Sequence, residues 1–138
     1  MRDVLIVLLV IGPALAIANL LYASKSLRGF LKGTTQVDTK QALQAFRSLA
    51  KRQMYAALLQ ILYLLMPIPV YGFISMTHLV DPALAMTLLL PLYVLVIGLS
   101  VFNSRLERAA QSLPTVPEFT DEYVRTILVW TKKAFPNW

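Results

Sequence analysis

Charged residues along this chain leave three stretches without a single ionised side chain: Val4 to Tyr22, Gln53 to Val80 and Pro82 to Ser104. About 20 consecutive apolar residues carry a helix across the hydrocarbon core of a bilayer, and each stretch reaches or nearly reaches that length. The pattern predicts an all-α integral membrane protein with three transmembrane helices in one membrane domain, 1–138. The first span is expected at about 4–24, a basic cytoplasmic loop at about 25–38, a second helix at about 39–77 and a third at about 83–113.

The second helix is too long to be only a span. Asp38 is a candidate cap with Gln41 three residues later, and no breaker follows until Pro67. A helix from Thr39 to Met66 measures about 42 Å at about 1.5 Å per residue, against a core of about 30 Å. Its first turns therefore project from the bilayer, with Leu43, Phe46, Leu49 and Ala50 on one apolar stripe. The third helix continues past its apolar run until Pro114, with Leu106, Ala109, Ala110 and Leu113 on a matching stripe. The second and third helices are thus expected to form an antiparallel hairpin extending into the cytoplasm. Gly29, Gly33, Thr34 and Thr35 read as a flexible turn in the first loop.

A fourth, amphipathic helix is predicted at about 120–135, with Thr120 as its cap, acids in the first turn and Lys132 and Lys133 in the last. Tyr123, Val124, Ile127, Leu128, Trp130, Ala134 and Phe135 share one face, and Glu122, Arg125 and Thr126 the other. The segment is too short to span, so it either lies at the cytoplasmic interface or packs on the projecting helices.

Charge sets the expected orientation. Lys25, Arg28, Lys32, Lys40, Arg47, Lys51 and Arg52 fall between the first two spans with Asp38 as the lone acid, which by the positive-inside bias makes that loop cytoplasmic. The N-terminus is then outside and the C-terminus cytoplasmic, in a bacterial inner or intracytoplasmic membrane. Met1 to Ala18 contains small-residue cleavage patterns, but its apolar run outlasts a signal peptide's, and it reads as the first span. The composition, 57% hydrophobic and 14% charged, agrees with membrane burial. The chain has no Cys, which removes disulfide, thiolate and Cys-ligated metal chemistry.

Chemical groups are sparse. No span contains Asp, Glu, Lys or Arg, the residues that proton relays and ion-coupled carriers use, and no nucleophile pairing or phosphate loop is apparent, so no enzyme is expected. His78, the only histidine, could ligate a haem or chlorophyll metal, or be a solvated residue of a surface turn. Pro13, Pro67, Pro69 and Pro91 break all three spans, with Pro67 and Pro69 expected to drive Met66 and Ile68 from helical angles. The freed carbonyls could border a pocket for lipid, quinone or pigment, or the kinks could simply shape the bundle. No cofactor is encoded by a motif. Asn19 and Gln60 can hydrogen-bond between helices, and Gly12/Ala16 and Ala14/Ala18 let another backbone approach closely. Lys25, Arg28, Lys32, Arg47, Lys51 and Arg52 are candidates for anionic-lipid contact, whereas too few aromatics interleave them for nucleic acid.

These observations point first to a non-catalytic scaffold or accessory subunit of a larger membrane assembly, meeting other membrane protein subunits through Phe46, Leu106, Tyr123, Ile127, Leu128, Trp130 and Phe135. The outside N-terminus, three spans and basic tail are also similar to the three-span holin layout, which implies a pore-former. The helical element between the first two spans resembles the insertase superfamily, without the charged groove residue expected there.

Overall fold

The structure is a computed structural model and describes residues 1–132. It consists of five helices: α1 (Arg2–Gly33), α2 (Lys40–Leu65), α3 (Pro67–Thr77), α4 (Pro82–Gln111) and α5 (Pro117–Lys132). Phe135 and Lys133 lie outside the described residues. Three helical runs, Arg2–Gly33, Lys40–Thr77 and Pro82–Gln111, are long and apolar enough to cross a membrane, and at most a third of each one's most apolar window is buried. Apolar side chains facing outward on three such helices indicate a membrane protein.

Several boundaries differ from expectation. α1 continues to Gly33, so most of the anticipated loop, Gly29 included, is helix. The extension is held by packing: Leu27 is fully buried, and Phe30 and Leu31 contact the same cluster. The cap of α2 is Thr39 rather than Asp38. Thr39 Oγ1 accepts the Ala42 N–H at 3.1 Å, while Asp38 accepts from the Gln36 side chain at 2.9 Å. Contrary to expectation, Met66 keeps helical angles (φ −55°, ψ −42°) and Ile68 lies within α3; Pro67 takes the first position of α3, where no N–H is needed. α5 starts at Pro117 for the same reason, which puts Thr120 inside its first turn, with its hydroxyl on the Val116 carbonyl at 3.0 Å.

The chain divides into two compact units. Unit 1 comprises Met1–Leu21 and Leu59–Val101; unit 2 comprises Tyr22–Leu58 and the chain from Phe102 onward. Unit 1 has two small cores. Leu5 and Leu9 meet Ile74, Val80, Ala85 and Leu89, and Ala16 and Leu20 meet Val96. Asn19 Nδ2 donates to Gln60 Oε1 at 3.0 Å, the interhelical bond that the sequence allows.

Unit 2 has one larger core centred on Phe46, which is 0% exposed. Its ring lies 4.6 Å from that of Tyr123, 5.8 Å from Trp130 and 6.0 Å from Phe30, in the tilted arrangements aromatic pairs favour. At this core, of which Val37 is a fully buried member, the loop after α1 joins the linker before α5. The Val37 N–H donates to the Pro114 carbonyl at 2.8 Å, and the Val116 N–H to the Val37 carbonyl at 3.2 Å. This isolated parallel bridge between Val37 and Thr115 is the one β-type pairing among the described residues.

Candidate functional site

The helix break in unit 1 is built from what proline removes. Pro67 has no N–H, so the Tyr63 carbonyl four residues earlier receives no helical bond. Gly12 faces that oxygen: a Cβ on Gly12 would stand 2.6 Å from it and 3.1 Å from the Met66 Cβ. Only glycine fits without displacing backbone. The Leu64 carbonyl, one residue on, accepts the Tyr93 hydroxyl at 2.9 Å. The weakened helix is thus stitched by α4 and overlaid by α1, both within unit 1.

Beside the break lies a cavity of about 250 Å³ bordered by Pro67, Ile68, Tyr71, Met86, Leu89 and Tyr93. It is smaller than the roughly 300–1,000 Å³ of sites that enclose a small molecule. Among the four prolines, Pro67 borders it. Pro13 is buried elsewhere in α1, and Pro69 and Pro91 are exposed. Pro13, Pro69 and Pro91 do not border this cavity.

His78 adopts left-handed angles (φ 53°, ψ 21°) as the C-cap of α3, and its N–H closes on the Ile74 carbonyl at 2.9 Å. The residue is exposed. Next to it, Asp81 Oδ1 accepts the Ala83 N–H at 3.0 Å and caps α4. Among the described residues, no group of three or more His, Asp or Glu side chains is placed to hold a metal ion.

In unit 2 the expected docking residues separate into two sets. Phe46, Tyr123 and Trp130 are buried in the core, and Leu106 and Ile127 pack against it. Leu128 faces outward, as does Val124, each 46% exposed. The apolar face of α5 is thus wider than the surface it covers. Tyr123 holds the linker as well: its hydroxyl donates to the Ala110 carbonyl at 2.7 Å and accepts the Leu113 N–H at 3.0 Å. Burial raises its pKa above the ordinary 10.0, and the Leu113 N–H opposes that shift.

The six basic candidates also separate. Arg28 lies over the Phe102 ring at 4.7 Å from its centroid. Lys25 and Arg52 border a groove of about 520 Å³ between α1 and α2, with Tyr22, Ser26, Ser48 and Phe30 among its other walls. Lys32, Arg47 and Lys51 do not border it. Sequence reasoning missed this groove, although Tyr22, Lys25, Ser26 and Gly29 have the i, i+3, i+4, i+7 spacing of one helix face. Buried polar groups support the same region. Ser24 Oγ donates to Asn103 Oδ1 at 3.1 Å, and Gln53 Nε2 donates to the Ala23 carbonyl at 3.0 Å.

No protein-family model matches the chain, and neither a curated protein nor a solved structure matches it.

Proposed function

We propose that this chain is a non-catalytic accessory subunit of a larger membrane assembly, with its N-terminus outside and unit 2 on the cytoplasmic side. In this reading α2–α3 and α4 form the antiparallel hairpin that reaches into the cytoplasm. α5 is the amphipathic element at the membrane surface, and Val124 and Leu128 are its contact with another subunit. The observation that carries the proposal is the division of α5: Tyr123 and Trp130 are used internally on Phe46, while Val124 and Leu128 remain outward on a helix too short to span. Orientation is supported by the basic residues between the first two apolar stretches.

A photoreactive residue in place of Leu128, irradiated in native membranes, tests it. Cross-linking to one discrete polypeptide, with co-migration in a native gel, is the expected result. Adducts with lipid alone would overturn the subunit reading, and dye release from liposomes by the purified chain would replace it with a pore-former. Topology is tested separately, and the absence of native Cys makes the labelling clean. A cysteine at Leu79 should react with an impermeant thiol reagent from outside and one at Gly33 should not.

A further inference from the structure

The groove between α1 and α2 has the charge, level and floor of a site for one particular ligand chemistry. Its register is fixed by two contacts. Ala23 is level with Gln53 through the 3.0 Å bond, and Phe30 is level with Phe46 through their rings. Seven residues forward on α1 correspond to seven backward on α2, so the two segments run antiparallel. Lys25 then lies opposite position 51, and Arg52 is displaced from it by about 1.5 Å along the axis, one helical step. The two cations therefore stand at one level on facing helices, and no carboxylate borders the groove.

That level is informative. Lys25 is the first charged residue after the apolar stretch that ends at Tyr22, and Arg52 is the last before the stretch that begins at Gln53. Exposed aromatics mark the same depth: Tyr22, Tyr55 and Phe102 are outward-facing, as in the belts at bilayer surfaces. Ser48 adds a hydroxyl beside the cations, while the Ser26 hydroxyl donates to the Tyr22 carbonyl at 3.1 Å, and Phe30 and buried Leu49 form an apolar floor. Gly29 leaves the wall open, since a Cβ there would meet no heavy atom within 4 Å.

We infer that this groove binds the phosphate headgroup of an anionic phospholipid, with Lys25 and Arg52 as the anion ligands and the acyl chains passing Tyr22 into the bilayer. Two unopposed cations select an anion. Their position where both apolar stretches end selects an anion carried on a lipid. The inference rests on membrane insertion and not on the subunit reading, because the site lies wholly within this chain.

Native mass spectrometry of the purified full chain, titrated with phosphatidylglycerol or phosphatidylcholine, tests it. One phosphatidylglycerol should bind in preference to phosphatidylcholine. The pair Lys25→Gln/Arg52→Gln should weaken that binding about thirtyfold, from the roughly fivefold expected per surface cation. The pair Lys32→Gln/Lys51→Gln, equal in charge but outside the groove, should change it less than about threefold. Gly29→Phe, which fills the opening without altering charge, should also abolish the preference while helicity is retained. Equal losses in the two charge pairs would show a diffuse basic field and overturn the site. Displacement of the lipid by stoichiometric inorganic phosphate would show a free-anion site and overturn the lipid. A photoreactive residue at Ser48 that captures a polypeptide in native membranes, and no lipid, would assign the groove to a protein partner instead.

Discussion

Unit 1 and unit 2 solve the problem of helix packing with opposite materials. In unit 1 the contacts are aliphatic and in places very close: Gly12 lies under the Tyr63 carbonyl, Ala16 and Ala85 are fully buried, as are Leu9 and Ile74, and other large apolar side chains such as Ile61, Ile68, Val94 and Ile97 point outward. In unit 2 the core is made of large aromatic rings about Phe46, and the only exposed large apolar residues described are Tyr22, Tyr55, Phe102, Val124 and Leu128. Among lipid tails, bringing apolar side chains together gains little, so helices associate through close backbone approach and a few polar bonds. Next to water the hydrophobic effect operates, and burying rings stabilises. The chain passes from one kind of packing to the other at Leu21/Tyr22, Leu58/Leu59 and Val101/Phe102.

The largest test of the contrast is Phe46→Ala. Loss of this fully buried ring should cost about 3–5 kcal/mol. Hydrogen exchange should report the loss in unit 2, with amides of unit 1 unchanged; equal loss in both would merge the two units into one cooperative body.

Gly12→Ala comes next, near the upper end of about 1–3 kcal/mol, because the obstructing atom is a carbonyl oxygen rather than a movable side chain. Gly72→Ala, whose Cβ would meet open space inside α3, should be neutral or stabilising by up to about 1 kcal/mol. Reversible unfolding in detergent of both variants decides whether close approach holds unit 1.

Tyr123→Phe leaves the Ala110 carbonyl and Leu113 N–H without their shared partner, and should cost about 1–3 kcal/mol in unit 2. It has a pH signature too. The folded-state pKa of Tyr123 is raised above 10.0 by burial, so its contribution is complete below pH 10.0 and is lost as pH rises through the higher folded value. The thermal midpoint of the parent should therefore fall above pH 10.0 more steeply than that of the variant. Parallel curves would refute the burial of this hydroxyl.

The smallest effect is expected from Gln60→Leu. It breaks the bond from Asn19 but also removes a buried side-chain nitrogen, Gln60 Nε2, that has no partner. Bonds of this kind are worth about 0.6 kcal/mol in membranes, so the net change in unfolding free energy should stay within about that amount of zero.

Much of unit 1 was legible because its signal is local. Freedom from charge identifies the three spanning runs directly, and the Gly12/Ala16 spacing marked the face that approaches α2 and α3 closely. The Asn19–Gln60 pair was also foreseeable, as two amides in otherwise apolar helices. Unit 2 was less legible because long-range contacts decide it. Basic residues and two glycines between Lys25 and Gly33 look like a loop, and only the packing of Leu27 and Phe30 on a core completed by Tyr123 keeps them helical. The cap shifted from Asp38 to Thr39 because either side chain can serve, and Asp38 was taken by Gln36. The groove at Lys25 and Arg52 needed the α1–α2 register, which no periodicity within one helix contains.

The bridge between Val37 and Thr115 carries a consequence for biogenesis. Its two sides, like the Phe46–Tyr123 pair, are separated in the chain by the whole second segment of unit 1. At about 5–20 residues per second, the ribosome delivers Tyr123 roughly 4–15 s after Phe46. Throughout that interval the ring of Phe46 has no lid, and the Val37 backbone has no mate. Closure of unit 2 must follow emergence of the last helix, so a chain truncated before Pro114 would carry all three long apolar helical runs and still leave Phe46 without Tyr123 and Trp130.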